Sequence, residues 1–157
     1  MLELSVPGRG HYRLAHLVLD VNGTLTEDGV LLPGVAERLA MLRPALTAHL
    51  LSADTFGKLG EISGQLDIPA QRLRAGESEP EQKAALVRAL GSSSVVAIGN
   101  GANDAAMLAE AALGIAVLGP EGVASTALRA ADVVAGSILA ALDLLLFPKR
   151  LMATLRS

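Results

Sequence analysis

Leu17-Val18-Leu19-Asp20-Val21-Asn22-Gly23-Thr24 is the stretch on which the reading of this chain turns. Three apolar residues lead into a carboxylate, and a glycine turn follows at once. A continuous apolar run suits a strand covered on both faces, as in a parallel sheet. In open sheets of that kind ligands gather at the carboxyl ends of the strands. Asp20 therefore stands where an α/β protein places a nucleophile or a metal ligand. Asn22-Gly23 is also a strong hairpin signal, so an antiparallel return from Leu17 to Thr26 is the competing reading.

Outward from this stretch the pattern alternates. It predicts strands over His16 to Asp20, Leu46 to Leu51, Arg72 to Arg74, Ser94 to Ile98, Gly114 to Leu118 and Asp132 to Val134. Helices are expected over Gly34 to Leu42, Thr55 to Leu66, Ser78 to Leu90, Asn103 to Ala111, Glu121 to Ala130 and Ile138 to Leu146. Pro33 suits a helix start, Asp54 or Thr55 an N-cap, and Ser78-Glu79-Pro80-Glu81 has the form of a capping box. Alternating strands and helices point to α/β architecture: a single-domain, Rossmann-like parallel sheet with helices on both faces. Ahead of it, Leu2 to Val6 and His11 to Leu14 flank Pro7-Gly8-Arg9-Gly10 and read as an N-terminal β-hairpin. Connections are short, so residues 1-157 read as one domain. Pro148 is expected to stop the last helix, Asp143 to face solvent, and the tail from Leu151 to Ser157 to fray.

Composition narrows the function classes. Hydrophobic residues make up 51% and aromatic residues 2%, so the core must be aliphatic. A net charge of -3 gives no basic footprint for nucleic acid. The chain has no cysteine, which excludes disulfides, thiolate zinc sites and a thiol nucleophile and fits a cytoplasmic protein. The best membrane candidate, Val133 to Phe147, is interrupted by Asp143 and falls short of the ~20 apolar residues a span requires, so no membrane association is expected. Met1 to Arg13 carries charge and Pro7-Gly8 where a signal peptide needs an apolar run. His11, His16 and His49 do not cluster in sequence and read as structural.

Polar residues collect at three strand ends: Asp20, Asn22 and Thr24; then Ser52; then Asn100, Asn103 and Asp104. With Lys83 on the intervening helix, they resemble, in order, the four motifs of the haloacid dehalogenase-like (HAD) phosphotransferases. Asp20-Val21-Asn22-Gly23-Thr24 is similar to the family's D-x-D-G-T. Gly99-Asn100-Gly101-Ala102-Asn103-Asp104 is similar to its G-D-G-x-N-D. The resemblance runs from about residue 16 to about residue 147.

This resemblance implies a Mg²⁺-dependent phosphohydrolase or phosphotransferase in which Asp20 forms an aspartyl-phosphate. It implies that Thr24, Ser52 and Asn103 bind the substrate and that Lys83 neutralises the phosphoryl charge. Mg²⁺ would lie among Asp20, the carbonyl of Asn22, Asn100 and Asp104, the last as ligand or as a partner behind the ligands. Taken alone, Ser52 and Asn103 read equally well as helix caps. Lys83 alone reads as a solvated helix lysine, and Asp104 as a charge suited to a helix N-terminus.

Two positions depart from the pattern. Asn22 replaces the Asp that serves as general acid and base, and an amide cannot shuttle a proton at neutral pH. Such help is worth about 10²–10⁴ in rate, so low turnover is expected. Asn100 replaces a carboxylate ligand, so Mg²⁺ affinity should be weakened. The combination most resembles the small soluble P-type-ATPase-like members of the family. Successive motifs lie only about thirty residues apart, which leaves no room for a cap domain. Thr24 to Leu32 should form only a small flap turning near Glu27-Asp28-Gly29. An open site suits a phosphorylated small molecule or a phosphoprotein, or closure by a second copy in a homo-oligomer. The two amides keep an alternative in view: a non-catalytic phosphate- or protein-binding module of HAD fold.

Overall fold

The computed structural model describes residues 1–157. In chain order the strands are β1 Leu2–Val6, β2 Gly10–Leu14, β3 His16–Asp20, β4 Thr26–Glu27, β5 Val30–Leu31, β6 Thr47–Ser52, β7 Ala70–Arg72, β8 Val95–Gly99, β9 Leu113–Val117 and β10 Val133–Ala135. The helices are α1 Val35–Leu42, α2 Leu59–Leu66, α3 Glu79–Leu90, α4 Ala105–Glu110, α5 Ser125–Ala130, α6 Ile138–Leu146 and α7 Pro148–Leu155.

Six strands form one sheet in the order β10-β9-β8-β3-β6-β7, and every pair in it is parallel. From β3 the chain moves out to β6 and β7, then returns to the other side of β3 with β8. The switch point therefore lies beside β3, where crossover loops part and leave a crevice. β3 pairs only with its two parallel neighbours, which overturns the hairpin reading of Leu17 to Thr26. Its continuation is a turn closed by Gly23 N–H donating to Thr26 O at 3.1 Å.

Side chains alternate across the sheet. Leu17, Leu19, Leu50, Val96, Ile98 and Ile115 join a core of 29 buried residues with α1, α2, α6, α7 and the hairpin. Val18, Leu51, Val95, Ala97 and Ala116 join a smaller one of 11 with α3, α4 and α5. Each fully buried aliphatic side chain contributes about 1.5–3 kcal/mol of transfer free energy. The thinner core has alanines at Ala97, Ala111, Ala116 and Ala127, so α3 and α4 pack close to the strands that carry the site.

The N-terminal hairpin forms as expected, with Leu2 opposite Leu14. So does the flap, β4 paired with β5 across Asp28 and Gly29. Both turn residues have positive φ, 50° and 78°, as a type I′ turn requires. No helix is long and apolar enough to cross a membrane.

Several expected boundaries move, each for a local reason. The third strand falls two residues early, at Ala70–Arg72, because Leu50–Ser52 pair with it there. Helix α2 starts at Leu59 and not Thr55. Asp54 and Gly57 take positive φ, 60° and 66°, and form a turn first. Asp54 still caps the helix, its Oδ1 accepting from Leu59 N–H at 2.9 Å. The segment from Asn103 begins as a 3₁₀ turn, Ala102–Asp104, before α4. Helix α5 starts at Ser125 because Gly119 to Gly122 form a turn closed at 3.0 Å.

At Ser78 half of the capping box forms. Ser78 Oγ accepts from Glu81 N–H at 3.4 Å, while the Glu81 carboxylate pairs with Arg88. The tail expected to fray is helix α7: Pro148 ends α6 and starts the next helix, where a missing N–H costs nothing. Leu151 and Leu155 anchor it in the core. Asp143, expected in solvent, is half-buried and receives Arg38 Nε at 2.7 Å.

Candidate active site

Asp20 ends β3 and is 6% exposed. Lys83 reaches it from α3, donating from Nζ to Asp20 Oδ1 at 2.7 Å and to Asp104 Oδ1 at 2.6 Å. The ammonium is 1% exposed. Lys83 is thus buried machinery and not a solvated lysine. Asp104 is fully buried, and its Oδ2 accepts from Asn100 N–H at 3.0 Å and Gly101 N–H at 2.8 Å. One carboxylate thereby fixes both the lysine and the loop after β8.

A single ammonium between two buried carboxylates leaves an uncompensated negative charge. Burial, reinforced by the charge of Asp104, pushes the Asp20 carboxyl up to about 7 against the opposing pull of Lys83 and Thr24. Burial works against the charged form of Lys83, but Asp20 and Asp104 together outweigh it and hold its pKa above the usual lysine value.

Above these groups opens a cavity of about 310 Å³, lined by Asp20, Asn22, Gly23, Ser52, Ala53, Thr55, Glu79, Asn100, Gly101, Asn103 and Glu121. Asn22 is half-buried on its wall. Ser52 ends β6, is 2% exposed, and its Oγ accepts from Asp54 N–H at 2.9 Å. Asn103 also lines the cavity, but its amide is held by Glu79, donating from Nδ2 to Oε2 at 2.7 Å.

Two of the expected site residues lie behind the cavity and not on it. Thr24, expected to bind substrate, is 1% exposed, and its hydroxyl lies 3.1 Å from Asp20 Oδ2 and 3.0 Å from Asn100 Oδ1. It positions those two groups from below. Asp104, expected as a ligand or as a partner behind the ligands, does not line the cavity, and its oxygens are taken by Lys83 and the two amide N–H groups.

No three His, Cys, Asp or Glu side chains come together as a metal cage. The donor set still fits a hard cation. The Thr24 hydroxyl has one proton for two acceptors, so Asp20 Oδ2 and Asn100 Oδ1 compete for it when Asp20 is ionised. Oxygens competing for one donor, beside a net negative charge, suit Mg²⁺, which takes oxygen ligands and keeps several of its waters.

Sequence reasoning missed two carboxylates of this cavity. Glu79 opens α3. Glu121 sits in the turn after β9, where Gly119-Pro120-Glu121-Gly122 announces a turn but no chemistry. His16 and His49, unlinked in sequence, meet on adjacent strands with ring nitrogens 3.2 Å apart. His16 begins β3, the end away from the site, and burial together with His16 lowers the His49 pKa.

No family model matches the chain. An uncharacterized protein of Methanocaldococcus jannaschii is 50% identical over 62 residues, which is 40% of this chain and 67% of that protein. A second uncharacterized protein of the same organism is 46% identical over 39 residues, 25% of this chain and 89% of its own length. Among solved structures, a protein assigned to the HAD hydrolases from Streptomyces avermitilis superposes with a TM-score of 0.69 at 21% identity, covering 87% of each chain. The cobalt-bound deoxy-D-mannose-octulosonate 8-phosphate phosphatase of Haemophilus influenzae superposes with a TM-score of 0.68 at 17% identity, covering 92% of this chain and 94% of its own. The Moraxella catarrhalis 3-deoxy-D-manno-octulosonate 8-phosphate phosphatase, in complex with a magnesium ion, a phosphate ion and a KDO molecule, gives a TM-score of 0.66 at 18% identity, covering 91% of this chain and 94% of its own. The chain thus belongs to the same family as the first of these Methanocaldococcus jannaschii proteins, and it shares its fold with the solved hydrolase and phosphatase structures.

Proposed function

We propose that the chain is a Mg²⁺-dependent phosphohydrolase or phosphotransferase that works through an aspartyl-phosphate on Asp20. The observation that carries this reading is Asp20 itself: a nearly buried carboxylate on a polar cavity at the switch point, with a buried lysine 2.7 Å from one oxygen. That phosphatases are among the proteins sharing the fold supports it.

An Asp20 oxygen attacks phosphorus and the bond to the leaving oxygen breaks. Lys83 lies behind the carboxylate, 2.7 Å from Asp20 Oδ1, and offsets negative charge there from beneath the cavity. Ser52, at the neighbouring strand end, supplies a hydroxyl to the phosphoryl group. Mg²⁺ would be held by Asp20, Asn100 and the carbonyl of Asn22. When bound it would offset the charge on the phosphoryl oxygens. Asn22 cannot protonate the leaving group or deprotonate water, so both transfers fall to solvent. Water then attacks phosphorus, releases phosphate and regenerates the Asp20 carboxylate slowly. The open cavity suits a phosphorylated small molecule or a phosphoprotein.

Acetyl phosphate and Mg²⁺, followed by mass spectrometry of the peptide containing Asp20, test the proposal. A phosphate adduct on Asp20, missing in Asp20→Asn, is the expected result. The two amides favour one other reading, a non-catalytic phosphate-binding module. Phosphate binding by calorimetry that survives Asp20→Ala, with no adduct under any metal condition, would establish that reading instead.

A further inference from the structure

The loop after β9 folds onto the site as a constructed element. Gly122 N–H donates to Gly119 O at 3.0 Å, with Pro120 second in the turn and Gly122, at φ 87°, fourth. That is the residue order a type I turn favours, and it puts Glu121 at the third position. The C-terminal side of the turn is tied twice to the loop after β8. Asn100 Nδ2 donates to Gly122 O at 3.0 Å, and Ala124 N–H donates to Asn100 O at 2.8 Å. A Cβ at Gly119 would lie 2.7 Å from Gly23 O, so the turn rests on the Asn22-Gly23 backbone itself. A Cβ at Gly23 would lie 2.7 Å from Glu121 Oε2 and 2.8 Å from Asn100 Nδ2. Glycine at both positions is what allows the carboxylate and the amide to converge.

Glu121 forms none of the ion pairs of the chain. No lysine or arginine lines the cavity it borders. On the same cavity, Asp20 and Asn100, 6% and 9% exposed, share the one proton of Thr24. The cavity is thus built with an excess of oxygen acceptors and negative charge.

We propose that Glu121 supplies the second negative charge of the cation site, in place of a carboxylate at residue 100. The inference rests on the phosphotransfer reading for its choice of cation and deepens it. Asn100 gives the site an oxygen but no charge. Glu121, delivered from the next strand and exposed, restores the charge beside the same amide without lying in the buried layer. Its place is that of a positioning and charge-balancing residue that acts on the cation through the neighbouring oxygens. The arrangement explains how an amide at residue 100 is compatible with a working cation site.

Calorimetric titration of the full chain with Mg²⁺ tests this without any turnover. Groups behind a metal's direct ligands typically govern 10–100-fold in affinity, so Glu121→Gln should weaken Mg²⁺ binding by about that factor. Adding Asn100→Asp to Glu121→Gln should return the affinity to the wild-type value or above. Glu79→Gln, which removes an equal charge from the same cavity, should weaken it far less. Melting curves followed by circular dichroism confirm folding of each variant, and Glu121, exposed in a turn, should leave them unchanged. Unchanged affinity in Glu121→Gln, an equal loss in Glu79→Gln, or no Mg²⁺ binding by the wild type would each overturn the assignment. The Asp20 adduct is read separately. An adduct with unchanged Mg²⁺ affinity in Glu121→Gln removes the role of Glu121 and leaves phosphotransfer standing. Weakened affinity with no adduct does the reverse.

Discussion

Asp20 forms the floor of the cavity with Lys83 and Asp104 behind it, all at no more than 6% exposure and joined by contacts of 2.7 and 2.6 Å, whereas Asn22, half-buried, and Glu121, exposed, stand at its rim. In the lower layer each charge depends on the next. Removing one partner strands another in a dry environment, where an unpaired charge is expensive. On the rim a carboxylate can become an amide, or move to a neighbouring loop, with little effect on folding. Of the two departures from the pattern the sequence resembles, Asn22 falls on the rim, and Asn100, 9% exposed, bridges the layers through Thr24 and Gly122. On the proposed mechanism, the difference is that the buried layer fixes where chemistry happens and the rim sets how fast it proceeds.

Lys83→Met should break the comparison most forcefully, because it leaves Asp20 and Asp104 facing each other without a cation. Breaking a buried pair typically costs about 3–5 kcal/mol. Urea denaturation should show a loss of that size, and a loss below about 1 kcal/mol, the scale of surface pairs, would mean that the lower layer is not a dry unit.

The proton balance of Asp20 gives a smaller and more specific effect. Its folded pKa, about 7, lies above the ordinary carboxylate value of 3.8. The folded state therefore holds the proton more tightly than the unfolded chain does. That contribution to stability is complete below about pH 4 and is lost as pH rises through 7. With a chelator present, melting temperature should fall between pH 5 and 8 more steeply in the wild type than in Asp20→Asn, and added Mg²⁺ should reduce the slope. Parallel curves for the two proteins would contradict the charge balance drawn for the site.

The Arg38–Asp143 pair between α1 and α6 supplies the half-buried counterpart, a contact of 2.7 Å with side chains 29% and 27% exposed. Water and salt screen such a pair. Arg38→Met should therefore lower the melting temperature by no more than about 2–4 °C, against a far larger drop for Lys83→Met. Similar drops for both would erase the distinction between the layers.

Much of this was legible in the chain, and the limits of legibility follow the same division. The six parallel strands could be read from apolar runs such as Leu17-Val18-Leu19, because burial on both faces leaves no polar alternation. Motif order brought Asp20, Ser52, Lys83 and Asn100 to one place. What could not be read depended on distant or irregular geometry. Arg38 meets Asp143 across 105 positions. Pro148 reads as a stop, yet the same missing N–H lets it start α7. Asp54 caps α2 from five residues away through a turn that propensity does not encode. Glu121 belongs to no motif. It joins the site only because β9 lies beside β8 in the sheet and a turn with glycine at both ends packs against Gly23.

On the proposed mechanism Asp20 is phosphorylated and Asn22 makes its release slow. The direct measurement is the rate at which phospho-Asp20, formed with acetyl phosphate and then freed of the donor by rapid desalting, loses phosphate in the wild type and in Asn22→Asp. General acid–base help at this step is worth about 10²–10⁴, so the variant should release phosphate faster by that factor with its fold and melting temperature unchanged. Equal rates of release from the two proteins would contradict the account.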